Sequence, residues 1–548
     1  MTVAFVRQLG AESGVQLNPL RDNSEIPSTD NSDQIFGILM RATRGRIDKP
    51  FVVDSGNVYT KLGKGEPIRK NALNEAWVHV VEALSNGAYQ CVVQRLVKAG
   101  EAKIKWAVCK LDEETPKNIT FEVSEEEPEG FFFAVKHLEC FNDGIKLSFH
   151  AEAKREGGKN VAQDEITLQI LDVDDVVLYE FTGSLNEDAK DDYGNSYYLP
   201  DVVASQTDAL EVRVGVQGEA AVVDTDSAAY DWDENGKQKW STSKVLVCFT
   251  EGSTVYEASD FVKARTALQN SPYDFAYISS GGSQDAALLG QLAMLAYDTN
   301  RQLRFDVPGK LDPEAAVKFV EQLNLGANKC PHLMQAFWAP IVSDDPTGVN
   351  PKGYFGVATL NIALACARNA QVNAKGFAPK NYPIAGREHQ INRQGIVQKY
   401  FLTSKEKNLL ANAKINPCGY ETYTGGGRYV FIDSLTCAPV SNSLRKLISV
   451  ADMSTSIDDA VTRAGKDFLQ LPMKVAVEKM SAFLKKLLED AESSGWLVPS
   501  DDPMMQGRSH VYVVKPSEAR PYDVMVVDYY VRYDGTVRQI HVTQTITK

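Results

Sequence analysis

The 548-residue chain has no CxxC pair, no GxxxxGK[ST] loop, no GxGxxG turn and no HExxH helix. Each absence removes a chemistry: zinc or dithiol exchange, P-loop phosphate binding, dinucleotide binding and zincin hydrolysis in turn. The eight cysteines (Cys91, Cys109, Cys140, Cys248, Cys330, Cys366, Cys418, Cys437) are scattered, which suits free buried thiols. Positive charge is short as well, with 58 Lys and Arg against 72 Asp and Glu and a net charge of −14. Such a surface repels phosphate backbones, and no local basic patch offsets it, so no direct nucleic-acid binding is expected. No run of about 18 apolar residues is present, and MTVAFVRQLGAESG has neither a basic n-region nor a long apolar core. Neither membrane insertion nor a signal peptide is expected, and assembly in a cytoplasm is.

What the chain does have is a globular composition, 43% hydrophobic and 24% charged, and a length that suits three or four domains. TVAFVRQL (2–9) reads as a short strand with Val3, Phe5 and Leu9 on one side. Residues 11–33 are polar and aperiodic, a linker. IFGILM, KPFVVDS and YQCVVQRLV read as strands around the helix NALNEAWVHVVEALSNG, which Gly87 stops. Between 98 and 256 the chain turns acidic and loop-rich around short strands, which predicts one or two inserted, mostly β domains. From about 257, strands and helices alternate, which predicts a largely parallel layered sheet. The helix SQDAALLGQLAMLAYDT is expected to be capped by Ser283, and DPEAAVKFVEQLN to carry Pro313 in its first turn. A long helix from Pro472 to about Ser493 buries Ala476, Met480, Phe483, Leu484, Leu487, Leu488 and Ala491, leaving Lys474, Lys479, Lys485 and Lys486 largely off that stripe. At the C-terminal side, Val526–Tyr533 and Thr536–Thr547 meet at Asp534-Gly535, which predicts a tight hairpin. In its second strand Ile540, Val542 and Ile546 share a face, with Val537 in the same run. That strand would present unpaired amides and carbonyls, which calls for a partner.

The remaining polar motifs have structural explanations. Gly281-Gly282-Ser283 suits a strand-to-helix turn and Gly425-Gly426-Gly427-Arg428 a hairpin loop. His137-Leu138-Glu139 has the H-x-E of zinc deaminases without the accompanying P-C-x-x-C, because Glu421 stands where the second cysteine would. Cys330-Pro331-His332 has no partner acid. The expected catalytic, cofactor and metal residues are therefore none.

The segment from Gln34 to Leu96 resembles the N-terminal conserved region of contractile tail sheath proteins, through Ile35-Phe36-Gly37, Arg44-Gly45, Phe51 to Ser55, Leu62-Gly63, Asn86-Gly87 and Cys91 to Arg95. RQLRFDVPG, AFWAP, KGFAPKNYPIAG, LLANAKIN, GGGRYVFIDSLT, RKLISVADM and the helix ending SSGWL follow in that family's order. A PGVYV-like start is missing, and 98–256 match no known pattern. The resemblance implies an α/β and α+β multidomain protein: a layered sheath core built from 34–97 and 257–400, an outward-facing mostly β insert at 98–256, an inner-layer conserved domain at 401–520, and extended strand arms at 1–33 and 521–548. It also implies a structural role without enzyme activity or cofactor. The chain would be a helical homopolymer that exchanges strands between subunits around a tail tube protein, meets baseplate and tail terminator proteins, and contracts to drive the tube through a host envelope in a virion. Val3, Phe5, Leu9, Val537, Ile540, Val542 and Ile546 would then lie on the arms, and Lys474, Lys479, Lys485 and Lys486 would face the tube. Two other readings stay open: a subunit of a non-phage contractile injection machine, and an α/β enzyme of unknown reaction.

Overall fold

The computed structural model describes residues 29–111, 119–151, 154–156, 159–161, 165–191, 193–217, 239–325 and 330–547. The expected N-terminal strand, with Val3, Phe5 and Leu9, lies outside them, as does most of the linker. The last residues of that linker do not run free: 29–34 form a 3-10 helix. The Asp33 carbonyl accepts from Asn369 Nδ2 at 2.7 Å and its carboxylate pairs with Lys380 at 3.0 Å.

Eight strands build the central sheet: β1 (Ile35–Met40), β2 (Phe51–Val53), β3 (Gln90–Arg95), β4 (Tyr277–Ser279), β5 (Gln302–Val307), β6 (Met334–Trp338), β7 (Ile415–Tyr423) and β8 (Gly426–Phe431). Their spatial order is β2-β3-β1-β4-β5-β6-β7-β8. The six inner strands are parallel, and β2 and β8 close the edges antiparallel. β1 pairs with β4, Phe36 opposite Tyr277, so segments on either side of the insert share one sheet.

Helices cover both faces, as parallel strands require. Phe36, Ile38 and Met40 point to a layer formed by α1 (Glu75–Ser85) and α5 (Ala358–Asn369), while Leu39 meets α2 (Ala258–Gln269) and α3 (Ala286–Thr299), with α4 (Pro313–Leu323) and α6 (Ser404–Asn412) beyond. This alternation follows from the two-residue period of a strand. Gly87 ends α1 at φ +116, where a Cβ would approach that of Ala367 on α5 to 2.5 Å. The expected Ser283 cap is corrected: Asp285 caps α3, accepting from the Leu288 amide at 2.9 Å. Gly281 and Gly282, both at positive φ, extend the turn by two residues before the helix begins.

The described residues between 103 and 251 form a β module. One sheet has the order 210–214, 133–137, 106–111, 119–124, and the other 177–184, 165–171, 146–151, 241–242. Both line a single core around Phe132, Phe133, Phe149, Ile166 and Leu168. Lys103–Ile104 pairs with Phe249–Thr250, so the incoming and outgoing chains run side by side.

A further core joins α7 (Ile448–Asp467), α8 (Met473–Ser493) and a two-stranded sheet of β9 (His510–Pro516) and β10 (Met525–Val531). This overturns the hairpin expected at Asp534-Gly535. β10 pairs backwards with β9, Val514 opposite Val527 and Tyr512 opposite Tyr529, and these residues with Met525 and Val531 pack on the helices. A partner that buries this face outweighs a favourable local turn. Residues 534–547 adopt no regular structure.

Candidate assembly surfaces

The polar motifs resolve into structure. Gly281-Gly282 is the turn between β4 and α3, and Thr424-Gly425 links β7 to β8. Buried His137 faces Glu139 at 3.6 Å, and Glu139 also meets Lys61 at 3.0 Å. Burial would raise the Glu139 carboxyl, but His137 and Lys61 take it down to about 2. Among the described residues no group of His, Cys, Asp and Glu could hold a metal ion. All eight cysteines are free. No helix among the described residues is long and apolar enough to cross a membrane.

A buried polar assembly docks the helical C-terminal unit onto the sheet. Asp452 of α7 accepts from Arg368 at 2.8 Å, Gln302 at 2.7 Å, Arg304 at 3.3 Å and the Tyr277 hydroxyl at 3.4 Å. Arg304 in turn donates to Gln335 at 2.8 Å and to the Asn361 side chain at 2.6 Å. Burial would raise the Asp452 carboxyl, and the Arg368 and Arg304 guanidiniums override it and hold it low. Burial and the Asp452 charge together push the Tyr277 phenol up. Sequence reading missed this centre, because its members lie on five separate elements and only their burial marks them. The nearest available signal was a charged residue inside an otherwise inward strand, Arg304 in RQLRFDV.

Two exposed surfaces remain. After Tyr533 pairs with Leu497, the chain leaves the body. Thr536 touches Ser449 at 3.2 Å and Arg538 pairs with Asp433, which fixes the root of this tail. Within that root Val537 is 77% exposed, and beyond it Ile540 is 79%, Val542 87% and Ile546 91% exposed, values that for isoleucine and valine mean almost no contact. Among the described residues 536–547 have no strand partner, and β9 pairs with β10 alone. Two cavities of about 500 Å³, one beside the end of β10 and one beside the root of the tail, share Leu444 and Arg532. The second surface is the outer face of α8. Lys474, Lys479, Lys485 and Lys486 are all exposed and none makes an ion pair among the described residues, while Ala476, Met480, Leu484, Leu488 and Ala491 are buried.

No family model matches the chain, and no curated protein matches it. Among solved structures it is similar to a chain of the anti-feeding prophage (AFP) baseplate, 6-fold symmetrised, at 11% identity over 56% of this chain and 78% of that one, with a TM-score of 0.38. It is also similar to a chain of an extracellular contractile injection system, the PVC sheath complex in its contracted state, at 13% identity over 51% of this chain and 74% of that one, with a TM-score of 0.39. A chain of the AFP baseplate in the contracted state matches at 13% identity, over 54% and 80%, with a TM-score of 0.37.

Proposed function

We propose that the chain is the repeating subunit of a contractile sheath, joined to its neighbours by strand exchange. The observation that carries this reading is the tail: 536–547 hold β-branched residues out in solvent beside a two-stranded sheet with open edges. An apolar strand left unpaired is an aggregation hazard unless it has a designated partner. Adding it to the β9–β10 sheet of another copy would satisfy its amides and carbonyls while Ile540, Val542 and Ile546 take up packing positions. Donor and acceptor lie at different places on the subunit, so the contact is heterologous and generates a helix instead of a closed dimer. The N-terminal stretch with Val3, Phe5 and Leu9 is assigned the same donor role.

The wider role comes from the sheath resemblance of the sequence: a polymer around a tail tube, bounded by baseplate and terminator proteins, that shortens to push the tube through a host envelope. A phage virion is the setting proposed, with 103–251 on the outside. Electron microscopy of the purified protein tests the reading. Rods or rings of this chain are expected, and monodisperse particles at all concentrations and salts would refute it.

The lysine face of α8 is assigned to an acidic tube surface. Each exposed pair contributes only about 0.2–1 kcal/mol, so the effect depends on repetition along the polymer. Lys485→Glu with Lys486→Glu is expected to weaken tube binding, most clearly at low ionic strength where screening is least. Equal co-sedimentation of variant and parent with tubes in low salt would return these lysines to an ordinary solvated face.

A further inference from the structure

The loop after β1, Arg41-Ala42-Thr43-Arg44-Gly45-Arg46, sits at the carboxyl end of the central strand. The chain passes to β3 on one side of β1 and to β4 through β7 on the other, so this is the point where the direction of winding reverses. In open α/β sheets the crevice there is the usual ligand site. Here the β module covers it.

The contact is polar and one-signed. Arg41 pairs with Glu251 at 2.8 Å, Arg44 with Asp143 and with Asp172 at 3.5 Å, and Arg46 with Asp208 at 2.7 Å. Lys49 pairs with Asp208, Lys61 with Glu139 at 3.0 Å and Lys64 with Asp174 at 2.8 Å. Each of these pairs has its cation on the body and its anion on the module. Arg44 also lies over the Phe141 ring, 4.2 Å from its centroid, and Arg95 over that of Phe249 at 4.7 Å. Apolar packing is not shared: the core around Phe132, Phe133 and Phe149 contains module residues alone, and the two cores flanking the sheet contain none of them. The covalent link is the two chain segments that enter and leave the module, held side by side by the two-residue ladder of Lys103–Ile104 with Phe249–Thr250.

We propose that the module is latched: this one-signed interface holds it over the carboxyl end of β1, and it swings off as a folded unit about its neck when the interface is screened or neutralised. Three facts combine to give this behaviour. A separate core lets the module keep its fold when undocked. An interface whose apolar burial is limited to the Phe141 and Phe249 rings under Arg44 and Arg95 has little else to hold it once the charges are weakened. Opposite charges segregated to the two sides leave the undocked module face acidic and the body face with Arg44, Lys49, Lys61 and Lys64 uncovered, while Arg41 and Arg46 keep Glu66 and Asp48 of the body as partners.

Two backbone bonds report on the latch directly, because they cross it: the Gly45 amide donates to Glu139 O at 2.7 Å and the Asn142 amide to Thr43 O at 2.9 Å. The Leu168 and Ile170 amides, on a strand paired on both sides within the module, report on its fold. Hydrogen exchange of the full chain, followed between about 0.05 M and about 1 M sodium chloride, separates the two, since the Debye length falls to roughly 3 Å at the higher salt. Exchange at Gly45 and Asn142 is expected to rise about tenfold while Leu168 and Ile170 stay protected. Asp143→Asn with Asp208→Asn, which neutralises the two most accessible acids of the Arg44 and Arg46 pairs, is expected to produce the same pattern at low salt. The latch is refuted if Gly45 and Asn142 stay as protected as Leu168 and Ile170 under both treatments. It is equally refuted if all four accelerate together, since the module then does not survive undocking.

Discussion

A chain cut after Gly535 is expected to fold, melt cooperatively and fail to polymerise. Residues 536–547 give the subunit little: Thr536 and Arg538 make single contacts at the root, and Val537, Ile540, Val542 and Ile546 lie in solvent. Losing the half-buried Arg538–Asp433 pair costs about 1 kcal/mol. Circular dichroism and the melting midpoint should therefore match those of the full chain. The assembly loses a whole intermolecular ladder, together with the burial of three β-branched side chains at about 1.5–3 kcal/mol each if fully covered. Ile540→Thr, Val542→Thr and Ile546→Thr together should act as a milder truncation, raising the critical concentration without abolishing assembly. Sedimentation and microscopy read both outcomes. Truncation that unfolds the subunit would return the tail to its own core, and truncation that polymerises normally would mean that the contacts lie elsewhere.

Asp452→Ala is expected to destabilise the isolated subunit by about 3–5 kcal/mol, the largest single-residue effect on this fold. The reason is the company it leaves behind. Arg304 and Arg368 are buried beside it, and without the carboxylate two positive charges face each other across Tyr277 and Gln302. Asp452→Asn keeps an oxygen for Gln302 and should cost less. Urea unfolding at neutral pH gives the difference. A change below about 1 kcal/mol would mean that water reaches the arginines, and a double variant with Arg368→Met measures the coupling directly. Because Asp452 belongs to α7 and its partners to the sheet and α5, the C-terminal unit should loosen before the sheet does. Exchange of α7 amides ahead of those in β5 would show it.

The parts of the fold legible in the sequence were those whose signals are local. The β/α alternation after 257 gave the parallel sheet, since each strand is a short apolar run and each helix has a cap or stop, as with Asp312 and Pro313 at the start of α4. The apolar stripe of α8 was legible for the same reason, at one residue per helical position. What failed was pairing at a distance. HVYVVKP is as good a strand as the tail, but eight residues with Pro521 separate it from β10, and a turn of that length carries no tight-hairpin signal. Asp534-Gly535 carried that signal and is not used as a hairpin, because β10 needs its apolar side chains on α8. The arginines of the β1 loop were visible as a motif, but their acidic partners on the module lie from Asp143 to Glu251, so no window of sequence shows the interface.

The pairing of β1 with β4 sets an order of events during synthesis. At roughly 5–20 residues per second, β4 leaves the ribosome on the order of ten to fifty seconds after β1. The β module is complete in that interval, because both its sheets and its core lie between the two strands in sequence. β1 and β3 meanwhile can pair only with each other and with β2, one face covered by α1 and the other, with Leu39 and Val92, open. The nascent subunit is therefore expected to pass through a stage in which a finished acidic module is tethered to an unfinished apolar sheet, and like charge on such modules opposes the approach of neighbouring nascent chains.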